Sequence, residues 1–178
     1  AFLDSLEQEG VRVPGLAVVL GSGGAARAIG YQLAAEGSTT VFINRTLQRA
    51  LNLARDIFQV TGQESWGIAW DNQRSKEFLQ RCELIVNTTP LGMFPAIEEM
   101  PPLDLHIINP RATVADIIYN PITTRFLREA RQLGLKTING LGMFVNQGVC
   151  SWEMFTGQKA PRQAMENWLK SWLKENET

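Results

Sequence analysis

The sequence predicts an α/β fold, a doubly wound (Rossmann-like) six-stranded parallel sheet with helices on both faces. Three observations predict it. An unbroken apolar run, Leu16–Leu20, ends at a cluster of glycines, as at the start of a dinucleotide-binding unit. Further apolar runs of strand length alternate with helical stripes along the chain. A chain of 178 residues is also long enough to bury about 70% of its unfolded surface in one domain.

The first half of the chain predicts strands and helices in alternation. A short amphipathic helix over Phe2–Gln8, ended by Gly10, precedes the first strand. The helix after the glycines ends at Gly37, and its apolar positions are mostly small residues that suit close packing on a sheet: Ala25, Ala28, Ile29 and Ala34. We predict strands over 16–20, 39–43 and 64–70, the last interrupted by Gly67, and helices over 24–36 and 47–58.

The second half continues this alternation after a brief helical face near Phe78. A strand over 83–87 is followed by a proline-rich connection over 94–111. The next strand, over 113–119, leads to Asn120, a predicted helix N-cap with Pro121 in the first turn. Two helices, ending at Gly134 and Gly157, flank a strand over 135–138, and the last helix covers 161–174.

The predicted elements form three parts. We expect an N-terminal helix and linker over 1–15, a Rossmann domain over 16–157, and a C-terminal helix over 158–178 that packs on or beside that domain. The last part carries apolar residues at helical spacing, which is typical of a packing face. Because the chain opens on Ala1 within a helical pattern, we also expect it to be a piece of a longer polypeptide.

Charge and composition exclude several classes of protein. The net charge of -1 and the pI of about 5.9 leave no basic excess for a nucleic-acid partner. No run is long enough to span a membrane and no signal peptide is evident, so we expect a cytoplasmic protein. Cys82 and Cys150 lack CxxC spacing and are interpreted as small, buried, reduced residues. His106 is interpreted as a loop residue, and no metal site is predicted.

The glycine turn is the first candidate site. Gly21 permits a sharp turn out of the strand, and Gly23 lets the backbone approach a pyrophosphate. Ala26 stands where a third glycine is common, and the helix start offers unpaired amides to an anion. Glycine turns of this kind also bind flavins and S-adenosylmethionine or simply reverse the chain, so the turn alone does not identify a cofactor.

The end of the second strand indicates which dinucleotide binds. Asn44, Arg45 and Thr46 follow the strand at the place where NAD enzymes usually carry an acid for the ribose 2′-hydroxyl. An arginine there suits a 2′-phosphate, because its planar guanidinium can pair with the phosphate and its face can stack on adenine. Thr46 and Arg49 add a hydroxyl and a second positive charge. We therefore predict NADP; the alternative is a solvated arginine at a strand end.

Polar residues also follow the fourth strand and lie on a later helix. Asn87, Thr88 and Thr89 stand at the carboxyl end of a strand, where open α/β sheets bind ligands, although their hydroxyls and amide could simply cap a turn. Gln147 comes four residues after Met143 and so shares its helical face. It either faces a cleft or is exposed to solvent.

Five motifs occur together in one order: the glycine turn over 21–27, Asn44-Arg45-Thr46, the segment 87–93, the run 116–121 with Tyr119, and Gly140-Leu141-Gly142-Met143 with Gln147. Jointly they resemble the C-terminal, NADP-binding domain of the shikimate dehydrogenase family, over essentially the whole chain. The resemblance implies NADP-linked interconversion of 3-dehydroshikimate and shikimate, a ketone-to-alcohol hydride transfer. It also implies a partner, the family's N-terminal substrate domain, whose lysine and aspartate act on the transferred proton.

The resemblance assigns roles to individual residues. It implies pyrophosphate binding by Gly21, Ser22, Gly23, Gly24 and Ala25. The adenosine 2′-phosphate end would contact Asn44, Arg45, Thr46 and Arg49. The nicotinamide side would be lined by Thr88, Ile117, Gly140 and Met143, and substrate hydroxyls would be reached by Tyr119 and Gln147.

No residue of this chain is predicted to be catalytic. Its lysines fall on polar stretches or chain ends, where nothing would lower a lysine pKa for acid-base work. We therefore expect the chain to bind cofactor without turning over alone. The alternatives are an NAD-linked quinate/shikimate dehydrogenase, which should carry an acid near Arg45, a non-catalytic NADP-binding module, and an S-adenosylmethionine methyltransferase, which should carry an acid in place of Asn44.

Overall fold

The computed structural model describes residues 1–175 and contains one six-stranded, all-parallel sheet with helices on both faces. The strands are β1 (Leu16–Leu20), β2 (Thr39–Asn44), β3 (Ser65–Ala69), β4 (Leu84–Asn87), β5 (Thr113–Asp116) and β6 (Lys136–Ile138). The helices are α1 (Phe2–Gln8), α2 (Gly24–Ala35), α3 (Leu47–Thr61), α4 (Gln73–Arg81), α5 (Arg125–Gln132), α6 (Leu141–Thr156) and α7 (Arg162–Glu175). The predicted fold class is confirmed.

The strand order is β3-β2-β1-β4-β5-β6, so the chain reverses direction across the sheet between β1 and β4. In the register, Leu20 pairs with Ile43 on one side and Asn87 on the other. The carboxyl ends of the three central strands are therefore level. In doubly wound sheets this switch point is where ligands bind.

The two faces of the sheet carry separate apolar cores, because side chains alternate along each strand. Val19 and Phe42 face one core, which α1, α2 and α3 cover. Val18 and Val41 face the other, which α4 and α5 cover. Burial on both faces explains why the central strands are continuous apolar runs rather than alternating ones.

Two glycines set how closely helices approach the sheet. At Gly30 an added Cβ would collide with the ring of Phe42, so α2 lies directly on β2. Gly67 was predicted to interrupt a weak strand, and this prediction was wrong: β3 runs through it, because the backbone of α3 at Ala50 lies against the glycine and leaves no room for a side chain. The buried face of α2 is also rotated from the prediction, since Ala28 is exposed while Leu33 is buried.

The segment after β5 differs from the prediction. The strand ends at Asp116 instead of 119, and Asn120 does not cap a helix. Helix α5 begins at Arg125, and the Thr124 hydroxyl caps it by accepting a hydrogen bond from the Leu127 amide. The apolar run over 117–119 leaves the sheet because the Asp116 carboxyl turns the chain by accepting a hydrogen bond from the Ile118 amide.

The interpretations of the two cysteines and the histidine agree with the structure only in part. Cys82 is fully buried, as predicted, but Cys150 is exposed on α6, so its predicted burial was wrong. His106 lies in a short 3-10 helix over Leu105–Ile107 within the proline-rich connection, and not in an irregular loop. Over residues 1–175 no helix is long and apolar enough to cross a membrane, and no three His, Cys, Asp or Glu side chains are grouped as metal ligands would be.

The C-terminal helices pack against each other and against α1. Leu169 and Leu173 of α7 form a small apolar cluster with Leu141 and Val145 of α6. Beside it the Arg162 guanidinium donates to Asn146 Oδ1 at 3.3 Å and to Gln8 Oε1 at 2.8 Å, while Asn146 Nδ2 donates to the Ala1 carbonyl at 3.2 Å. Helix α7 thus packs on α6. Positions 176–178 of the predicted final part lie outside the described residues.

Candidate functional site

The glycine turn lies at the switch point of the sheet. Gly21 has a φ of +109°, and its N–H donates to the Ile43 carbonyl at 2.8 Å, which ties the turn to the end of β2. On the other side Thr88 closes the turn, because an added Cβ at Gly21 would lie 2.8 Å from the Thr88 hydroxyl oxygen. The contact with Thr88 and the positive φ therefore both require glycine at this position.

The rest of the turn is open. Gly23 is the N-cap of α2, and an added Cβ at Gly23 or Gly24 would meet no atom within 4 Å. Because the N-cap is a glycine, it offers no side chain to cap the helix, and among residues 1–175 no side chain accepts from the first N–H groups of α2. A helix start of this kind, with bare backbone in front of it, fits a pyrophosphate, and Ser22 and Ala25 are half-buried beside it.

Two arginines stand at the adjacent end of β2. Arg45 and Arg49 are exposed, and within residues 1–175 neither forms an ion pair. Asn44 donates Nδ2 to the Thr46 carbonyl at 3.0 Å, which fixes the turn that carries Arg45 into α3. Because Leu20 and Ile43 pair in the register, these two positive charges lie next to the glycine turn.

Thr88 links β4 to the turn. Its hydroxyl donates to the Leu20 carbonyl at 2.6 Å, and its N–H donates to the same oxygen at 3.0 Å. The side chain is half-buried and lines the cavity described below. Of the three polar residues singled out after β4, Thr88 and Thr89 line this cavity, whereas Asn87 is fully buried and does not.

Asn87 is instead part of a buried polar network. Its Nδ2 donates to Asp116 Oδ2 at 3.2 Å, and its Oδ1 accepts from the Thr89 N–H at 3.0 Å and the Thr89 hydroxyl at 2.6 Å. Asp116 Oδ2 also accepts from the Thr124 hydroxyl at 2.8 Å, and Oδ1 accepts from the Ile118 N–H at 3.0 Å. The carboxyl therefore joins the segment after β4 to the segment after β5.

Asp116 was not singled out from the sequence. Burial raises the pKa of its carboxyl from 3.8 to about 6, against hydrogen bonds from the Ile118 N–H, the Thr124 hydroxyl and the Asn87 amide, each of which lowers the pKa. The signal that could have found it is the acid at the end of an apolar strand, followed by a threonine eight residues on. An acid in such a place needs buried donors.

A mostly apolar cavity of about 530 Å³ lies beyond Thr88, at the carboxyl ends of β4 and β5. It brings together three residues predicted for the site, namely Thr88, Ile117 and Tyr119. Trp172 of α7 also lines it and was predicted only as a packing residue. The remaining lining residues are Thr89, Pro90, Met93, Phe94, Ile118 and Asn120.

The start of α6 packs against one wall of this cavity. The Gly140 N–H donates to the Ile118 carbonyl at 3.0 Å, and an added Cβ there would collide with the backbone of Ile117. Met143 is half-buried and, with Ile117, packs against the core that α2 covers. Gly140 is thus required for the close approach of two backbone segments, which the sequence alone did not indicate.

Tyr119 and Gln147, the two residues predicted to contact the substrate, both lie beside Phe144 of α6. The Tyr119 ring stacks on Phe144 of α6 with ring centroids 4.1 Å apart and an interplanar angle of 22°. Gln147, three residues after Phe144, is exposed on the same face of α6. Of the two alternatives for Gln147, the structure places its side chain at the surface.

Comparison with known proteins identifies related chains. A family model described as the shikimate 5′-dehydrogenase C-terminal domain matches residues 140–169. The chain is 42% identical over 154 residues to the shikimate dehydrogenase (NADP(+)) of Desulforamulus reducens, covering 86% of this chain and 53% of that protein. It is 44% identical over 167 residues to the shikimate dehydrogenase (NADP(+)) of Symbiobacterium thermophilum, covering 92% of this chain and 57% of that protein.

A solved structure is similar over the same extent. Shikimate 5-dehydrogenase from Thermus thermophilus, in complex with NADP(H) and shikimate, superposes with a TM-score of 0.80 at 33% identity, covering 96% of this chain and 60% of that one. The chain therefore spans little more than half the length of the curated relatives it matches.

Proposed function

We propose that this chain, which belongs to the shikimate dehydrogenase family and spans its C-terminal part, is the NADP-binding part of an enzyme that reversibly reduces 3-dehydroshikimate to shikimate. One observation carries the choice of cofactor. The open glycine turn lies beside Arg45 and Arg49, at the end of the neighbouring strand, and neither arginine has an acidic partner among residues 1–175. This combination fits a dinucleotide with an additional phosphate on its adenosine ribose.

The residues fit the cofactor in three places. Gly21, Ser22, Gly23, Gly24 and Ala25 hold the pyrophosphate with backbone amides. Asn44, Arg45, Thr46 and Arg49 hold the 2′-phosphate end. Thr88, Ile117, Gly140 and Met143 form the nicotinamide side, with Tyr119 and Gln147 directed to the substrate's hydroxyls.

Bound NADPH supplies the hydride for the keto carbon. The chain's own contribution is to hold the cofactor in an apolar cavity that limits water around the reacting carbon. The reduction also needs a proton at the carbonyl oxygen, and no lysine, histidine or acid of residues 1–175 lines this cavity. We infer that the proton donor belongs to a substrate domain N-terminal to this part, and that residues 1–178 do not turn over alone.

We further propose that residues 1–15 form the helix and linker that lead into the domain, and that 16–157 form the cofactor domain. The final part, 158–178, of which the structure describes 158–175, would pack on or beside it. A cytoplasmic location stays a prediction. The NAD-linked alternative lacks support at β2, because the first acid after this strand is Asp56, and Arg27 of α2 already pairs with it at 2.8 Å.

Equilibrium titration tests the proposal. NADPH and NADH are added separately to the chain, and binding is followed by quenching of tryptophan fluorescence. We expect NADPH to bind at least about tenfold more tightly, since a charge-assisted phosphate contact contributes about 1.5 to 3 kcal/mol. Equal affinities would refute the NADP assignment, and NADP⁺-dependent oxidation of shikimate by this chain alone would refute the inference about the proton donor.

A further inference from the structure

The nicotinamide side of the cavity is built from two segments that have no regular secondary structure. One follows β4 and provides Thr88 and Thr89, and the other follows β5 and provides Ile117 and Tyr119. Segments of this kind have no hydrogen-bonded ladder to fix them, so their positions depend on side-chain contacts.

The carboxyl of Asp116 contacts the segment after β5 directly and the segment after β4 through Asn87. Asp116 is 2% exposed, and its Oδ1 holds the segment after β5 through the Ile118 N–H at 3.0 Å. Its Oδ2 receives the Thr124 hydroxyl, at the far end of the same segment, at 2.8 Å. The remaining donor is Asn87 Nδ2 at 3.2 Å, which belongs to the neighbouring strand. Within residues 1–175 these three donors are neutral groups.

Asn87 transmits this contact to the segment after β4. Its Oδ1 accepts both the N–H and the hydroxyl of Thr89, and its Nδ2 also donates to the Leu91 carbonyl at 3.3 Å. The orientation of the Asn87 amide is defined by this set, because Nδ2 faces two acceptors and Oδ1 faces two donors. Asp116 thus fixes Asn87, and Asn87 fixes the segment that carries Thr88 and Thr89.

We propose that Asp116 is a positioning residue for the nicotinamide end of the cofactor: by holding the segments after β4 and β5 together, it sets the shape of the cavity without touching the ligand. This inference rests on the proposed NADP-binding function. It acts mainly on the nicotinamide end of the cofactor, because within residues 1–175 the side-chain hydrogen bonds of Asp116 and Asn87 do not reach the pyrophosphate turn or the two arginines. The turn meets the network only through Thr89, which lies beside Gly21.

A pair of probes tests the proposal. NADP⁺ and 2′-phospho-ADP-ribose, which lacks the nicotinamide, are titrated into the chain and into Asp116→Asn. An amide at 116 places a donor against the Ile118 N–H or against the Asn87 amide, so one segment must shift. We expect NADP⁺ binding to weaken about tenfold, as for one or two lost hydrogen bonds, and 2′-phospho-ADP-ribose binding to weaken much less. The nicotinamide fluorescence of bound NADPH should change as well.

Two further variants control the test. Thr113→Val alters a buried hydroxyl residue at the opposite end of the same strand, and we expect both affinities to match the parent. Thr124→Val removes one donor to the carboxyl and should reproduce the selective loss, about threefold for a single weak contact. Thr124→Ser keeps the hydroxyl and should restore parental binding. If Asp116→Asn does not fold, the comparison of Thr124→Val with Thr124→Ser tests the positioning role.

The outcomes separate the two proposals. Unchanged NADP⁺ binding in Asp116→Asn or Thr124→Val, or an equal loss for both probes, would overturn the positioning role. A parent chain that binds neither probe would overturn the proposed function itself, and the positioning role with it. A selective loss of NADP⁺ binding in the variants supports both proposals, provided that the fluorescence of NADPH bound to Asp116→Asn also differs from that of NADPH bound to the parent chain.

Discussion

Asn87 lies directly opposite Asp116 in the register of β4 and β5, and its side-chain amide donates to the Asp116 carboxyl at 3.2 Å. Both side chains are buried at the carboxyl ends of their strands. A buried carboxylate usually pairs with a cation, whereas the partners here are an amide, a hydroxyl and a backbone N–H. The ionised form is therefore incompletely compensated, which is why burial raises the pKa.

This raised pKa predicts a pH dependence of stability. Between pH 3.8 and about 6 the folded chain keeps a proton that the unfolded chain releases, so this group's contribution to the free energy of unfolding falls as pH rises and is constant above pH 6. A shift of about two pKa units corresponds to about 3 kcal/mol. Urea unfolding at a series of pH values should show the parent losing about that much more than Asp116→Asn between about pH 4 and about pH 7. Parallel curves would contradict it.

Substitution of Arg45 should change cofactor preference. We expect Arg45→Ala to weaken NADPH binding about tenfold to a hundredfold, because it removes a charge-assisted contact to the 2′-phosphate. NADH binding should weaken much less, since NADH loses only the contact with its adenine ring. Isothermal titration with both cofactors measures this. Arg55→Ala is the matched control, since Arg55 is an exposed arginine two turns along α3. A similar loss in both variants would indicate a general charge effect.

Gly21 should tolerate no side chain. In Gly21→Ala the φ of +109° is strained, and the new methyl group also meets the Thr88 hydroxyl oxygen at 2.8 Å. Gly37→Ala is the control, because its φ of +91° is similarly strained but no atom lies within 4 Å. Thermal unfolding should show a loss of about 1 kcal/mol for Gly37→Ala and about 2 to 3 kcal/mol for Gly21→Ala, and only the latter should lose NADPH binding. Equal losses would disprove the contact with Thr88.

Substitution by alanine should have different effects on the free energy of unfolding at two glycines near the start of α6. Gly140→Ala drives a methyl group into the backbone of Ile117 and should destabilise the fold by about 3 kcal/mol or more. At Gly142 the nearest atom would be the Ser5 Cβ, at an ordinary 3.5 Å, so Gly142→Ala should be neutral or stabilise by up to about 1 kcal/mol, as alanine is the better helix former. Chemical denaturation compares them, and a stable Gly140→Ala would refute the close approach.

The sequence allowed the sheet to be predicted because its central strands are buried on both faces and hence wholly apolar. The same rule misplaced the end of β5: Ile117, Ile118 and Tyr119 are apolar because they line a cavity, which periodicity does not distinguish from a strand. The helix start at Arg125 was missed because Asn120 and Pro121 match a local capping pattern. The hydroxyl of Thr124, which caps α5, is also held by the buried Asp116, and one sequence does not show that contact.

The glycine turn was easier to predict as a piece of backbone than as a binding site. Gly21 has a positive φ at the end of β1, as a sharp turn out of the strand requires. The places of Asp116 and Trp172 beside the cavity result from contacts between segments that are far apart in the chain, and one sequence does not show such contacts. Gly67 and Gly140 belong to the same class, because each is needed only where another backbone segment crosses it.

The small cluster between α6 and α7 has a consequence for local motion. Among residues 1–175 it contains four buried side chains, separate from the two cores that flank the sheet. Since the free energy of local opening scales with the apolar contact that is broken, α7 should detach at a fraction of the cost of global unfolding. Its backbone amides should exchange with deuterated solvent well before those of β1 and β4. When α7 detaches, Trp172 would move away from the cavity with it, while the glycine turn stays folded.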